Sequence, residues 1–139
     1  MIKTMSSKNP EASPVTVSPL SLIGADQRGA SYRIENDRGG DFMLAYRKAG
    51  SSSGRHYHTG KVPGKNPEIL YLLSGEAVIR WRPIEETAIR EVKVVAPARV
   101  EIQINIWHEL VPLIDCSFWE MNSLEEVQQD SIRVEYDRR

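Results

Sequence analysis

The chain has 139 residues, enough to bury one hydrophobic core, and its 18 Lys and Arg residues nearly balance its 19 Asp and Glu residues. This balance argues against a nucleic-acid or anionic-membrane partner, because both favour a clustered excess of basic residues. The sequence has no stretch near the roughly 20 apolar residues of a membrane helix and no apolar signal-peptide core, so we expect a soluble, cytoplasmic protein.

The predicted elements, in chain order, are short strands separated by turns. Residues 1–14 are polar and are expected to form a flexible tail, and residues 15–139 a single domain. Period-two alternation and β-favouring residues predict strands at 15–22, 31–36, 41–47, 68–73, 76–82, 91–95, 99–106, 108–114 and 116–121. So many short strands with little helix predict an all-β sandwich or barrel.

Turn, cap and core residues mark particular places in this series. Ser74 and Gly75 separate two strands by two residues, which predicts a tight hairpin. Ser123 with Glu126 three positions later is the pattern of a capping box and predicts a helix of two turns at most. The single cysteine, Cys116, excludes an internal disulfide, and its apolar context DCSFWEM predicts a small buried side chain.

Two of the three histidines of the chain, His56 and His58, are two positions apart. On a strand this spacing places both imidazoles on one face, with origins about 6.6 Å apart, so that they can converge on one cation. Glu68 begins the next predicted strand, and a hairpin folding back would bring its carboxylate to the same point.

The third histidine, His108, follows a predicted strand whose apolar face is Ile102, Ile104 and Ile106. Continued alternation points His108 into the core. Three imidazoles and a carboxylate in an apolar interior need partners, because an unpaired buried polar group is costly. A divalent transition metal such as Zn, Fe, Ni, Cu or Mn would supply that partner. The alternative is that each histidine is a separate surface residue or a hydrogen-bonded core residue.

The same residues resemble the first signature of the cupin superfamily. The chain has Gly50, five residues, the HYH sequence at 56–58, then Glu68, six residues and Gly75. Cupins usually place three or four residues between the second histidine and the glutamate, whereas this chain has the nine residues TGKVPGKNP. In the second signature, Gln103, Asn105 and Pro112 stand where cupins have proline, glycine and asparagine. Asn105 is a reasonable substitute for glycine because asparagine tolerates left-handed backbone.

The resemblance covers residues 41–121 and implies a fold, a metal and an assembly. The implied fold is a cupin-type double-stranded β-helix, or jelly-roll, barrel with a short C-terminal helical or extended tail. The implied metal ligands are His56, His58, Glu68 and His108, and the implied assembly is a homodimer.

Longer strings refine the resemblance. The HYHT sequence followed by E-x-x-x-L-x-S-G-E-A-x-I-R-W-R is similar to the cupin domains of bifunctional capsular-polysaccharide enzymes. Those domains bind zinc and epimerise a 4-keto nucleotide sugar beside its ketone. The strings INIWHEL and DSIRVEYD resemble cupin ketoisomerases that act on 4-keto-6-deoxy nucleotide sugars.

Three functions are compatible with these features. The first is a metal-dependent epimerase or isomerase of a keto sugar or similar small oxygenated substrate, in which the metal polarises a carbonyl and a base removes the adjacent proton. That base cannot be identified, although Glu101 and Glu109 are carboxylates near the site in sequence. The alternatives are an iron-dependent cupin dioxygenase and a non-catalytic cupin that binds a small molecule.

Basic and aromatic residues near the site are candidates for ligand contacts. A diphosphate could be held by Arg55, Lys61, Lys65, Arg80 and Arg82, of which Lys61, Lys65 and Arg80 are the favoured substrate contacts. The alternative is solvated surface charge. We expect the insert at 59–67 to be a loop at the mouth of the site, because it contains two glycines and two prolines.

The aromatic residues of the chain have an ordinary structural explanation as well. Tryptophans can stack on a sugar or nucleobase, but they more often pack a core or dimer interface. The chain has three tryptophans, Trp81, Trp107 and Trp119. Alternation turns Tyr57 away from the paired histidines and Tyr71 away from Glu68, which argues against Tyr71 as a catalytic acid.

Overall fold

A computed structural model describes residues 13–135, so most of the predicted tail at 1–14 lies outside the described residues. The described part contains twelve strands and one helix. They are β1 Val15–Pro19, β2 Ser21–Asp26, β3 Gly29–Arg33, β4 Met43–Arg47, β5 Ser53–Tyr57, β6 Glu68–Ser74, β7 Glu76–Pro83, β8 Arg90–Val95, β9 Ala98–Ile102, β10 Ile106–Pro112, β11 Cys116–Glu120, α1 Leu124–Gln129 and β12 Ile132–Arg133.

Ten of these strands form two five-stranded sheets. The first sheet has the order β1-β9-β6-β11-β4 and the second the order β12-β5-β10-β7-β8, while β2 and β3 form a separate hairpin. The prediction of an all-β jelly roll is confirmed. The expectation of a barrel needs correction, because within residues 13–135 no strand pairing joins one sheet to the other. The protein is therefore a pair of facing sheets and not a closed cylinder.

The core lies between the two sheets and follows the alternation of the sequence. Leu72, Val100 and Ile102 point inward from the first sheet, and Ile79 and Leu110 from the second. Each is almost fully buried. Side chains of period-two strands that line one face thus meet across the sandwich, and their burial drives the two sheets together.

Cys116 belongs to this core, as predicted. Its side chain is buried, and that burial raises the pKa of the thiol. The thiol therefore stays protonated and behaves as a small hydrophobic group.

Several strand predictions are wrong in their extent: the strand expected at 31–36 is Gly29–Arg33, and two other predicted strands are interrupted. The strand expected at 15–22 ends at Pro19, which has no N–H to donate to a sheet, and the chain continues into the β2–β3 hairpin. The strand expected at 99–106 ends at Ile102, because Asn105 adopts a left-handed φ of 61° in the turn before β10. Asparagine at this position therefore does take the conformation that glycine usually supplies.

The short helix α1 confirms the capping box. Ser123 Oγ accepts a hydrogen bond from the N–H of Glu126 at 3.2 Å, and Glu126 Oε1 accepts one from the N–H of Ser123 at 3.0 Å. This reciprocal pair satisfies two N–H groups that an uncapped helix would leave without partners.

The β6–β7 hairpin, predicted from Ser74 and Gly75, gives a first test of the fold. Gly75 has a φ of 89°, and a Cβ added there would collide with the Asp115 carbonyl oxygen. We expect Gly75→Ala to lower the free energy of unfolding by about 2–4 kcal/mol, measured by urea denaturation. Gly39→Ala is the matched control, because nothing lies within 4 Å of a Cβ there. Equal stability of the two variants would contradict the strained turn.

Candidate metal site

The site lies between the sheets and draws its residues from both. β5 and β10 are neighbours in the second sheet, where His56 pairs with His108, and His58 directly follows β5. Glu68 is the first residue of β6, which belongs to the facing first sheet. The expectation that a hairpin returns Glu68 to the histidines is therefore wrong. The 59–67 insert instead crosses from one sheet to the other, and Glu68 reaches the histidines across the core.

The four predicted ligands come together around one point. One ligand atom from each of His56, His58, Glu68 and His108 lies within 4.8 Å of the others. Glu68 Oε1 is 2.9 Å from His58 Nε2 and 3.0 Å from His108 Nε2. The His56 ring centroid is 4.6 Å from that of His58 and 4.9 Å from that of His108. Three imidazoles and one carboxylate thus face a common centre.

In His58 and His108, the hydrogen bond made by Nδ1 determines whether Nε2, the ring nitrogen that faces Glu68, carries a proton or a lone pair. His58 Nδ1 donates to the Asp130 carbonyl oxygen, and His108 Nδ1 donates to the Ile106 carbonyl oxygen at 3.0 Å. In a neutral ring this assignment leaves Nε2 with a lone pair and no proton. Both Nε2 lone pairs then face the same oxygen of Glu68.

This acceptor-to-acceptor contact fits a bound cation. His108 Nε2 is buried and receives no hydrogen bond from any residue within 13–135. Lone pairs of two imidazoles and a carboxylate repel at about 3 Å unless a proton or a metal ion lies between them. Ring nitrogens held by backbone carbonyls on the opposite side are the usual arrangement of histidine metal ligands.

The protonation of the site suits metal binding. Burial and the neighbouring His108 lower the pKa of His56 to about 3, so its ring is neutral at neutral pH. Burial raises the pKa of Glu68, but Lys65 and His108 outweigh it and hold that pKa well below the usual range. The site therefore presents a neutral His56 ring and an ionised Glu68 carboxylate, forms that can bind a divalent cation.

Comparison with known proteins identifies the fold that holds these four residues. No protein-family model matches the chain, and no curated protein matches it in sequence. Among solved structures, the chain is similar to a complex of the 3,4-ketoisomerase QdtA from Thermoanaerobacterium thermosaccharolyticum with TDP. That match has 21% identity and a TM-score of 0.67 over 87% of this chain and 88% of the other.

Two further structures are similar. The capsular polysaccharide assembling protein CapF from Staphylococcus aureus is 26% identical, with a TM-score of 0.56 over 84% of this chain and 34% of CapF. ChmJ, a 3'-monoepimerase from Streptomyces bikiniensis, is 12% identical, with a TM-score of 0.64 over 80% of this chain and 64% of ChmJ. The chain has the cupin fold. The resemblance read from the HYH sequence and Glu68 is thereby confirmed at the level of the fold.

In this cupin fold, two residues that sequence analysis did not single out support the four: Glu120, through Lys65, and Asp130, through His58. Lys65 Nζ lies 3.2 Å from Glu68 Oε2 and 3.3 Å from Glu120 Oε1. Lys65 is 1% exposed, so the structure places it inside the protein and not at an open loop surface. A signal for Glu120 was present, because Cys116, Phe118 and Glu120 share the inward parity of β11. A carboxylate on an apolar face is unusual unless it is paired.

Asp130 is a second residue that sequence analysis missed. Its carbonyl oxygen orients His58, while its carboxylate accepts hydrogen bonds at 2.8–2.9 Å from the N–H groups of Thr59, Gly60 and Lys61 and from the Thr59 hydroxyl. Burial raises the pKa of Asp130, but these hydrogen bonds outweigh it and lower that pKa to about 2. No local pattern predicts contacts between residues about 70 positions apart.

The insert at 59–67 is anchored at several further points. Glu126 Oε2 accepts a hydrogen bond from the Gly64 N–H at 2.8 Å, so α1 holds the middle of the insert while Asp130, just after α1, holds its first three residues. Arg38 donates to the carbonyl oxygens of Gly64 at 2.7 Å and Pro67 at 2.5 Å. The insert is therefore a packed part of the domain that fixes where Lys65 and Glu68 lie.

The other candidate substrate contacts lie apart from the four ligands. Lys61 is exposed, with its side chain on the outer part of the insert. Arg80 alternates with the core residues Ile79 and Trp81, so it faces outward, where it pairs with Glu91 and Glu109 at 3.2 Å each. The structure thus does not bring Lys61 and Arg80 to the four candidate ligands, and their role in substrate binding stays a prediction.

Arg55 and Arg82 lie on the same outer face of the second sheet. Arg55 pairs with Glu109 at 3.0 Å, and Arg82 lies over the Trp107 ring, 5.5 Å from its centroid. Trp107 is completely buried and donates through Nε1 to the Val134 carbonyl oxygen. This tryptophan therefore packs the C-terminal segment onto the sheet, which is its ordinary structural role.

Most of the remaining aromatic and acidic candidates face away from the four ligands; Trp81 is the exception, because it shares the inward face of β7 with Ile79 and lies opposite His108 of β10. Tyr71 donates from its hydroxyl to the Glu35 carbonyl oxygen on the outer face of the first sheet, as its parity predicted. Glu101 lies on that face too and pairs with Arg99 at 2.9 Å. Trp81 packs against the core, whereas Trp119 is 38% exposed. Neither Glu101 nor Glu109 has a contact that would make it the base.

No helix within residues 13–135 combines the length and apolar character needed to cross a membrane.

Proposed function

We propose that the protein is a metal-dependent isomerase or epimerase that acts on a keto sugar carried by a nucleoside diphosphate. The observation that carries this proposal is the buried contact of two imidazole nitrogens, His58 Nε2 and His108 Nε2, with Glu68 Oε1. His56 completes a donor set of three nitrogens and one oxygen, which suits Zn, Fe, Ni or Mn.

The substrate class is supported by the proteins that share the fold. One QdtA structure contains TDP, and another contains TDP-4-keto-6-deoxyglucose. QdtA is described as a 3,4-ketoisomerase and ChmJ as a 3'-monoepimerase, so both rearrange a sugar without adding or removing a group. We extend that class of reaction to this chain because its donor set fits a Lewis acid.

When bound, a divalent metal supplies a Lewis acid that polarises a carbonyl oxygen and makes the adjacent C–H more acidic. The residues of the chain orient the candidate ligand atoms and shield them from water. Asp130 and Ile106 fix the tautomers of two histidines through their carbonyl oxygens. Burial of Glu68 and His108 keeps water away from the donor atoms. A separate base must take the proton from carbon, and no residue is assigned to that role.

The proposal is tested with metal-loaded protein and TDP-4-keto-6-deoxyglucose in D₂O, followed by proton NMR. We expect deuterium to enter the sugar at a carbon beside the ketone, equally in air and under anaerobic conditions, because proton abstraction precedes either isomerisation or epimerisation. Chelation should abolish this exchange.

Other outcomes would identify the alternatives. Consumption of substrate only in the presence of oxygen would favour an iron-dependent cupin dioxygenase. Saturable binding of TDP without any exchange would favour a non-catalytic small-molecule-binding cupin. Either result contradicts the isomerase proposal, and the second leaves the fold and the binding of a nucleotide ligand intact.

The cytoplasmic location of the protein stays a prediction.

We propose also that the protein forms a homodimer through the β2–β3 hairpin. Every residue of both strands is exposed, including Leu22, Ile23 and Tyr32 at 58%, 66% and 42%. An isolated two-stranded hairpin is marginally stable in water, so a second copy is its most direct source of packing. Light scattering should give the mass of a dimer, and Ile23→Asp should shift it toward a monomer. A monomeric wild type contradicts this proposal.

A further inference from the structure

Lys65 occupies an unusual position for a residue of a glycine- and proline-rich connection. The insert folds back on itself through a hydrogen bond from the Lys65 N–H to the Val62 carbonyl oxygen at 3.2 Å. This turn sends the Lys65 side chain inward, where it is 1% exposed. A buried ammonium is costly unless it is fully paired, so its partners define what it does.

Those partners are two carboxylates from neighbouring strands of the first sheet. Lys65 Nζ lies 3.2 Å from Glu68 Oε2 and 3.3 Å from Glu120 Oε1. A lysine side chain is ordinarily protonated at neutral pH, and two carboxylates at these distances favour its charged form.

The two oxygens of Glu68 are consequently divided between different partners. Oε1 faces the Nε2 atoms of His58 and His108, while Oε2 faces the Lys65 ammonium. A carboxylate without such a partner can rotate and offer both oxygens to a cation. Here the ammonium holds one oxygen away from the histidines.

We propose that Lys65 is a positioning residue that restricts Glu68 to a single-oxygen metal ligand and limits the negative charge available to the metal. This inference rests on the proposed function, because it concerns the same metal site. Without Lys65, Glu68 and Glu120 would place two uncompensated negative charges beside the cation. With it, one of those charges is already balanced.

The chemical consequence is a metal that is held less tightly and keeps more of its positive charge. A cation close to a divalent metal weakens binding through Coulomb repulsion, which is large where the effective dielectric constant is low. A less neutralised metal polarises a carbonyl oxygen more strongly. Lys65 would thus make the bound metal a stronger Lewis acid and lower the affinity of the site for that metal.

A purely structural role makes a different prediction. If Lys65 only anchors the insert, its removal lowers the stability of the protein and leaves zinc affinity unchanged or weaker. If it limits the charge at the site, its removal must tighten zinc binding even while the metal-free protein loses stability. The sign of the change in affinity therefore separates the two roles.

The experiment is a zinc titration of each variant against a chromophoric competing chelator, with thermal unfolding measured in parallel. We expect Lys65→Met to lower the zinc Kd by about tenfold or more. Lys61→Met, in the same insert but exposed, is the matched control and should leave the zinc Kd unchanged. Cobalt-substituted protein should show an altered visible absorption spectrum in Lys65→Met only, because Glu68 can then offer both oxygens.

Glu120→Gln tests the same charge balance if Lys65→Met does not fold. Its side chain is 16% exposed, so it is the less demanding replacement. Removing this carboxylate leaves the ammonium to act on Glu68 alone, and we expect the zinc Kd to rise several-fold. A zinc Kd in Lys65→Met that is equal to or higher than that of the wild type overturns the inference, as does an unchanged Kd in Glu120→Gln.

The outcome is distinguishable from failure of the proposed function. Wild-type protein that binds zinc, together with a Lys65→Met variant of equal affinity, leaves the metal site standing and removes only the role of Lys65. Wild-type protein that binds no zinc overturns both.

Discussion

Replacing His58 by alanine is expected to weaken zinc binding by more than about 100-fold, since loss of a ligand must exceed the 10–100-fold effect of losing a ligand's supporting partner. His58 is 1% exposed, and its Nε2 atom faces Glu68 Oε1 while Asp130 holds the ring from behind. No other side chain described at the site offers an atom that could take the place of His58 Nε2. Metal analysis after dialysis, together with competitive zinc titration, measures the effect.

A matched control separates metal binding from general damage at this strand. Tyr57→Phe alters the neighbouring residue, which alternation turns to the other face of β5. This variant should keep wild-type zinc affinity. Zinc should also raise the melting temperature of the wild type and of Tyr57→Phe but not that of His58→Ala, because a ligand stabilises only the state that binds it. Equal stabilisation of all three would contradict the assignment of His58.

Replacing Asp130 by alanine is expected to lower the free energy of unfolding by about 4 kcal/mol, because each hydrogen bond to a buried charged group contributes about 1.5–3 kcal/mol and the contributions are not additive. The carboxylate accepts four hydrogen bonds from residues 59–61 and is 2% exposed. Urea denaturation measures the loss. Amide hydrogen exchange at Thr59, Gly60 and Lys61 should accelerate in the same variant.

The pH dependence of stability provides an independent check on Asp130. Its pKa in the folded protein is about 2, below the ordinary value of 3.8. A lowered folded-state pKa stabilises the fold above the unfolded-state value, and that contribution is lost as the pH falls from about 4 to about 2. The difference in stability between wild type and Asp130→Asn should shrink over this range. A constant difference would show that the carboxylate charge is not responsible.

The metal-site candidates could be selected from sequence because the signals were local and chemical. His56 and His58 share a face at a spacing of two, and the parity of His108 follows the apolar residues before it. Even there, the continuous strand assumed through Asn105 is interrupted by a turn. The parity of His108 survives because β10 begins at Ile106, so that Ile106 and His108 both point inward.

The supporting residues could not be selected in the same way. Asp130 follows α1 and reaches the insert about 70 positions earlier, a contact that depends on how the helix packs. Lys65 was predicted to contact a substrate from a loop at the mouth of the site, because glycine and proline predict a loop there. The insert is instead packed by Arg38 and Glu126, and that packing turns Lys65 inward. Local composition identifies a loop, whereas tertiary contacts determine which of its side chains become buried.

The most direct test of the metal site is an anomalous difference map from crystals of protein purified without chelator and soaked in zinc, recorded at the zinc absorption edge. We expect one strong peak between the Nε2 atoms of His58 and His108 and Glu68 Oε1, within reach of His56. The peak should be absent from crystals of His58→Ala treated identically. A peak elsewhere, or none at all in the wild type, would contradict the assignment of these four residues as metal ligands.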